Sequence, residues 1–135
     1  MRKIILLSLI SSCFFCCENH TEIENSLQGK WNVTQIIGGF SPAKNYNEEE
    51  FTWLFDLDTS TVTIQNNKDV FNGLDIPRFI NNQGGIYSFD IIIENDIEHL
   101  VVGERKGTIQ LINNELTIYF GIAYDDIAYI LKDRK

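Results

Sequence analysis

The sequence predicts an all-β domain, an antiparallel up-and-down β-barrel of about eight strands, and three observations predict it. Segments in which apolar and polar residues alternate recur after residue 27, and this period of two is typical of strands. Short polar turns separate these segments, and none sustains a helical period. Consecutive hairpins favour an up-and-down order, and closing the sheet removes exposed edges; a β-sandwich is the competing layout.

Length and charge limit the function classes. The chain has 135 residues, so one domain remains once a leader is removed. A hydrophobic content of 44% supports a packed core. The net charge of −8 argues against a nucleic-acid partner, which needs clustered Lys and Arg.

The N-terminus resembles a bacterial lipoprotein signal peptide. Arg2 and Lys3 form a positive region, and residues 4–10 form a short apolar run. No later stretch is long and apolar enough to span a bilayer. The predicted division is residues 1–17 for the signal peptide, 18–26 for a polar tether and 27–135 for the barrel domain.

All three cysteines lie in this leader, so the domain offers no disulfide and no thiolate metal site. Residues 10–13 resemble a lipobox ending at Cys13, whereas Cys17 follows a longer apolar region and precedes a polar stretch. The predicted lipidation site is therefore Cys17 or Cys13, and Cys17 leaves no aromatic stub on the mature chain. Several acyl chains such as palmitate would anchor the protein firmly to the outer membrane, on its periplasmic or surface face.

The first half of the domain has the clearest strands. The first strand is predicted within residues 27–37, and the second at residues 51–57. Trp53 and Phe55 share one face of the second strand with two more large apolar side chains, so a register slip would expose all four. Residues 45–50 are polar and acidic, which indicates a loop or a single helical turn.

The second half alternates again after an irregular stretch at residues 66–84. Residues 86–93 place Tyr87 and Phe89 on one face of a strand, and the Asn113-Asn114 pair is a strong hairpin signal. The remaining predicted strands are residues 61–65, 98–102, 107–112, 115–121 and 127–132.

One motif resembles a known family. Gly29 and Trp31, at the head of the first strand, resemble the Gly-x-Trp signature of lipocalins, and residues 85–89 and 114–118 resemble strands of lipocalin-like bacterial lipoproteins. The likeness extends from residue 27 to about 132 and implies a calycin-type barrel. The chain lacks the family's Thr-Asp-Tyr motif and has no helix after its last strand, which excludes a secreted vertebrate-type lipocalin.

The resemblance also implies a role for the tryptophan. In lipocalins it packs across the closed end of the barrel under a basic side chain, which here would be Lys132 or Arg134. Membership of so broad a class does not by itself confer a ligand.

Two functions follow as expectations. The inward aromatic residues Trp53, Phe55, Tyr87 and Phe89 would line a pocket for a small apolar ligand, of about 300 Å³ or more. Alternatively, side chains fill the barrel, and it acts as an interaction or structural module of the cell envelope. An exposed apolar patch on residues 71–80 would then be the contact surface. Oligomeric state is left open.

Catalysis is not predicted. No nucleophile–base pair can be proposed on spacing, and the chain shows no cofactor motif and no metal-ligand cluster. An enzyme would need polar groups such as Ser88 and Asp90 at the barrel mouth. Residues 56–60 fit a hairpin turn better than a Ca²⁺ loop, and His99 fits a surface position.

Overall fold

The computed structural model describes residues 22–38, 42–68, 84–121 and 127–133. They form one short helix and nine strands in a single antiparallel sheet. The elements are α1 (Glu22–Leu27), β1 (Gly29–Ile37), β2 (Lys44–Asn45), β3 (Phe51–Asp56), β4 (Thr61–Asn66), β5 (Gly85–Glu94), β6 (Ile97–Val102), β7 (Arg105–Ile112), β8 (Glu115–Tyr119) and β9 (Ala128–Asp133).

The sheet closes on itself through β1. One edge of β1 pairs with β3, with Trp31 opposite Trp53, and its other edge pairs with β9, with Ile36 opposite Tyr129. Strands β3 to β9 follow one another in sequence order. The predicted all-β, eight-stranded up-and-down barrel is therefore confirmed, with β2 as one extra strand.

Strand β2 is where the prediction fell short. Gln35 pairs with Asn45 on the β1 edge that β3 leaves after Asn32. Two polar residues carry no alternation, so the sequence indicated only a loop or a helical turn there. Their role is set by the neighbouring edge, because strand edges with unpaired backbone groups take up any extended segment that can reach them.

Tight turns explain the register of the second half. Asn95 and Asp96 have φ values of 52° and 63°, and Asn113 and Asn114 have φ values of 50° and 62°. Positive φ at both positions is the geometry of a type I′ turn, which matches the twist of paired strands, and Asn and Asp tolerate it. The hairpin predicted at Asn113-Asn114 is confirmed by the pairing of Ile112 with Glu115.

The two ends of the barrel differ. At the helix end lie α1 and the turns at residues 57–60, 95–96 and 113–114. At the far end lie β2, Tyr46 and the start of β3. The fully buried side chains between the ends form one core.

Helix α1 begins in the predicted polar tether, residues 18–26, and ends at Leu27, the first residue of the predicted barrel domain. Glu22 and Glu24 sit in its first turn, where carboxylates favour the helix dipole. A six-residue helix is not stable alone. Packing holds it, since Leu27 is fully buried and Ile23 packs against the core. Among the described residues, no helix has the length and apolar character needed to cross a bilayer.

Candidate functional site

The barrel interior is the site that the sequence predicted for a ligand. Trp53 and Phe55 are fully buried on β3, and Phe89 is buried on β5. The ring centroids of Trp53 and Phe55 are 6.1 Å apart, and those of Phe55 and Phe89 are 5.2 Å apart, edge to face. These separations are those of aromatic rings in direct contact. The three side chains therefore pack directly on one another.

Tyr87 completes the predicted set and is half-buried against the core. It lies opposite Val62 in the register, and its ring covers Gly85. A Cβ added at Gly85 would lie 3.0 Å from the Tyr87 hydroxyl oxygen. Tyr87 thus occupies the space that the absent side chain of Gly85 leaves.

A second group of rings, which the sequence analysis did not assign, fills the far half of the barrel. Tyr129 lies at its centre, with ring centroids 5.7 Å from Trp53, 6.3 Å from Phe51 and 5.8 Å from Phe120. Tyr46 contacts Phe51 edge to face at 5.2 Å. The alternation in β9 could have assigned Tyr129, but Tyr46 lies in a polar stretch without a pattern.

A glycine makes the Phe120 position possible. Gly107 faces Leu100 across β6 and β7, and an added Cβ would come within 2.6 Å of the Phe120 ring. Two bulky groups cannot share this place in a close-packed interior. The small residue on β7 and the large ring just after β8 are therefore complementary.

Tyr129 is held in its neutral form. Burial raises the pKa of its hydroxyl far above the usual value, and the smaller effect of the Arg105 charge is to lower it. A buried phenol keeps its proton because the charged form would lose its hydration. The centre of the ring cluster therefore carries no charge at any physiological pH.

The Gly29–Trp31 signature has a clear physical basis. Gly29 has a φ of 114°, a conformation that residues with a Cβ rarely adopt, and it turns the chain from α1 into β1. The indole Nε1–H of Trp31 then donates to the Leu27 carbonyl at 2.9 Å. This bond satisfies a carbonyl at the end of α1 that has no partner within the helix. The signature thus ties α1 across the end of the barrel.

The basic cover expected over Trp31 does not come from Lys132. Lys132 lies opposite Asn32 and next to the fully buried Leu131, so it points outward. Its Nζ is 3.6 Å from the Glu115 carboxylate. Alternation along β9 places neighbouring residues on opposite faces, and this corrects the expectation. Arg134, the other candidate, lies outside the described residues.

An apolar surface remains at the helix end. Ile93, Ile97 and Ile112, which we call the helix-end rim, are 59%, 48% and 55% exposed. With Ile23 of α1 they line an open groove of about 740 Å³. The acidic residues Asp96 and Glu98 also border it. No pattern in the sequence predicts this groove, because it assembles from residues of three strands and a helix.

Polar groups are spread over the outer surface. Ser88 and Asp90 are exposed on the outer face of β5, so a catalytic pair at the barrel mouth is not formed by them. His99 is 3.5 Å from the Thr108 hydroxyl on the neighbouring strand. Asp56 accepts a hydrogen bond from the Asp58 backbone N–H at 3.0 Å, as in an Asx turn. No cluster of three or more potential metal ligands occurs within the described ranges.

Glu50 is a carboxylate with a strongly lowered pKa, and its hydrogen bonds hold the segment after Tyr46. Glu50 accepts hydrogen bonds from the backbone N–H and the side-chain amide of Asn47, and it pairs with Lys68 at 2.9 Å. These donors, the Asn47 backbone first, lower the pKa of Glu50 from 4.5 to about 2. Lys44 and Lys68 also flank the Tyr46 ring, with Nζ 5.6 Å and 5.3 Å from its centroid.

Comparison of the chain with protein-family models, with curated proteins and with solved structures returned no match. The closed antiparallel eight-stranded barrel is compatible with a lipocalin-like fold. The acylation candidates Cys13 and Cys17, and the predicted patch at residues 71–80, lie outside the described residues.

Proposed function

We propose that this protein is a lipid-anchored lipoprotein of the bacterial cell envelope whose filled barrel serves as a non-catalytic interaction module. The observation that carries this proposal is the mutual contact of the inward rings. Trp53 touches Phe55 on one side and Tyr129 on the other, at centroid separations of 6.1 Å and 5.7 Å. The aromatic side chains that were expected to line a ligand pocket pack against one another and against Tyr129.

A carrier would have to displace these rings. A ligand pocket occupies about 300 Å³ or more, and the inward side chains at the expected place are close-packed. Loss of the packing of one buried Trp or Phe costs about 3–5 kcal/mol, which a small apolar ligand would first have to recover. The filled module therefore accounts for the geometry better than the carrier does.

The leader supports the anchoring part of the proposal. Positive residues, a short apolar run and candidate cysteines occur in the order that a lipoprotein signal requires. Cys17 precedes α1 by only a short polar stretch, so the barrel would lie close to the membrane. Attachment of two or more acyl chains would make the anchoring stable.

Metabolic labelling with an alkynyl palmitate tests the anchor. The full-length chain expressed in a bacterium with an outer membrane should be labelled and fractionate with membranes. Cys17→Ala should abolish the label, whereas Cys13→Ala should leave it. Loss with Cys13→Ala alone would move the site to Cys13, and an unlabelled wild-type chain would refute the anchor.

Native mass spectrometry of the same chain, released from membranes in mild detergent, tests the filled barrel. We expect the mass of the acylated chain with no additional small molecule. A fatty acid titrated into this sample should leave the fluorescence of the two buried tryptophans, Trp31 and Trp53, unchanged. A stoichiometric adduct, or saturable quenching, would favour the carrier instead.

A further inference from the structure

The helix-end rim is the apolar surface left exposed beside α1. Ile93 is the next-to-last residue of β5, Ile97 begins β6 and Ile112 ends β7. All three border one groove with Ile23. Each is about half exposed. Scattered exposed isoleucines are ordinary, but several that converge on one groove are typical of an interaction surface.

The length of the chain before α1 determines which surface this rim faces. Residues 18–21 alone separate Cys17 from Glu22, the first residue of α1. Five Cα–Cα steps span at most about 18 Å, even when fully extended. Helix α1 is itself held to the barrel by buried Leu27 and by the Trp31 hydrogen bond. An acyl anchor on Cys17 would therefore bring the helix end, and not the far end, to the membrane.

We propose that the helix-end rim docks on a zwitterionic lipid surface, with Ile93, Ile97 and Ile112 inserted at the boundary between headgroups and acyl chains. This inference rests on the proposed lipid anchor, which brings the rim within reach of the bilayer. Apolar side chains at a membrane interface gain by leaving water, to a depth of about 5–10 Å. Docking would fix the orientation of the barrel and leave its far end facing away from the membrane.

The acidic residues around the groove indicate which kind of surface the rim would bind. Asp96 and Glu98 border the groove, and Glu94 lies next to the rim in an ion pair with Lys106. An anionic lipid surface would repel the acidic border. A second copy of the chain would bring two such borders together, in a protein with a net charge of −8. A neutral lipid surface carries neither penalty.

The test uses tryptophan probes on the acylated, full-length chain. Ile112→Trp places a probe on the rim. Ile86→Trp is the matched control, because Ile86 is an isoleucine on the outer face toward the far end and is 72% exposed. Each protein is reconstituted into vesicles of phosphatidylcholine with brominated acyl chains, which quench nearby indoles. Trp31 and Trp53 are buried and contribute the same background to both.

We expect quenching of the Ile112→Trp probe to be at least about twofold stronger than that of the Ile86→Trp probe, because only the rim reaches the acyl region. Adding Ile93→Thr and Ile97→Thr should remove the excess. Replacing half of the lipid by anionic phosphatidylglycerol should reduce it.

The intact mass of each protein shows whether it is acylated, and this distinguishes failure of the docking proposal from failure of the anchor proposal. Equal quenching of both probes in a chain with the acyl mass would overturn docking and leave the anchor standing. Equal quenching in a chain without that mass would overturn both. Crosslinked dimers joined through the rim, without excess quenching, would assign the surface to a second copy and refute lipid docking.

Discussion

The ring cluster inside the barrel and the rim at its helix end are both apolar, yet only the ring cluster is buried. Strand β7 shows the contrast most directly. Ile109 is 5% exposed and Ile112 is 55% exposed, only three residues further along. Ile109 points into the barrel, whereas Ile112, an odd number of positions along the strand, points to the outer face at the helix end. The strand face that a residue occupies in the closed sheet, and not its type alone, therefore decides whether it becomes core.

The largest effect should come from the interior. Trp53→Ala removes a fully buried ring that contacts Phe55 and Tyr129, and we expect it to lower the free energy of unfolding by about 3–5 kcal/mol. Leu54→Ala is the control, because Leu54 is the next residue and is exposed. Urea titration followed by circular dichroism measures both. An equal decrease in the free energy of unfolding for the two variants would mean that the interior around Trp53 is not close-packed.

A smaller loss should follow from overpacking the same interior. Gly107→Ala would press a methyl group against the Phe120 ring and should cost about 1–3 kcal/mol in the same titration. Combining it with Phe120→Leu should cost less than the sum of the two single changes, because the smaller side chain makes room. Strict additivity in this double-mutant cycle would show that the two positions do not compete for space.

The next effect is confined to acid conditions. The folded pKa of Glu50 is about 2 and its ordinary value is 4.5, so its hydrogen bonds stabilise the fold above pH 4.5. This contribution is lost as the pH falls towards 2. The urea midpoint of Glu50→Gln should therefore depend less on pH in that window than the wild-type midpoint does. Glu104→Gln, on the exposed turn between β6 and β7, should follow the wild-type curve, and parallel curves for all three would refute the assignment.

The smallest effect on stability should come from the helix-end rim. Ile93→Thr, Ile97→Thr and Ile112→Thr keep β-branched side chains at exposed positions, and each should change the free energy of unfolding by no more than about 0.5 kcal/mol. Ile109→Thr makes the same chemical change in the core and should cost about 1–3 kcal/mol, because it buries a hydroxyl. Equal losses at Ile109 and Ile112 would remove the distinction between core and rim.

Local pattern predicted the eight barrel strands because each spans several residues and alternates clearly. The same reasoning missed β2 and α1. Two residues at Lys44–Asn45 carry no period, and six at Glu22–Leu27 are too few to show a helical one. Both elements exist because the barrel supplies a partner, an open edge of β1 for β2 and a core contact through Leu27 for α1.

The candidate site divides in the same way. Trp53, Phe55 and Phe89 could be placed inside from their alternation, but whether they line a pocket or fill it depends on distances across the barrel. Phe120 over Gly107 and Tyr46 against Phe51 come from strands or segments far apart in sequence. The alternation along one strand does not predict which side chains the opposite wall of the barrel places against it.

Taken alone, the sequence determined the strand class, the register of the hairpins and the order of a signal-like leader, because each depends on neighbouring residues. Closure of β1 on β9, the packing of rings across the interior and the convergence of Ile93, Ile97 and Ile112 on one groove were decided only by the tertiary structure. The reason is physical: burial and contact depend on which surfaces meet in space, and long-range pairing brings those surfaces together.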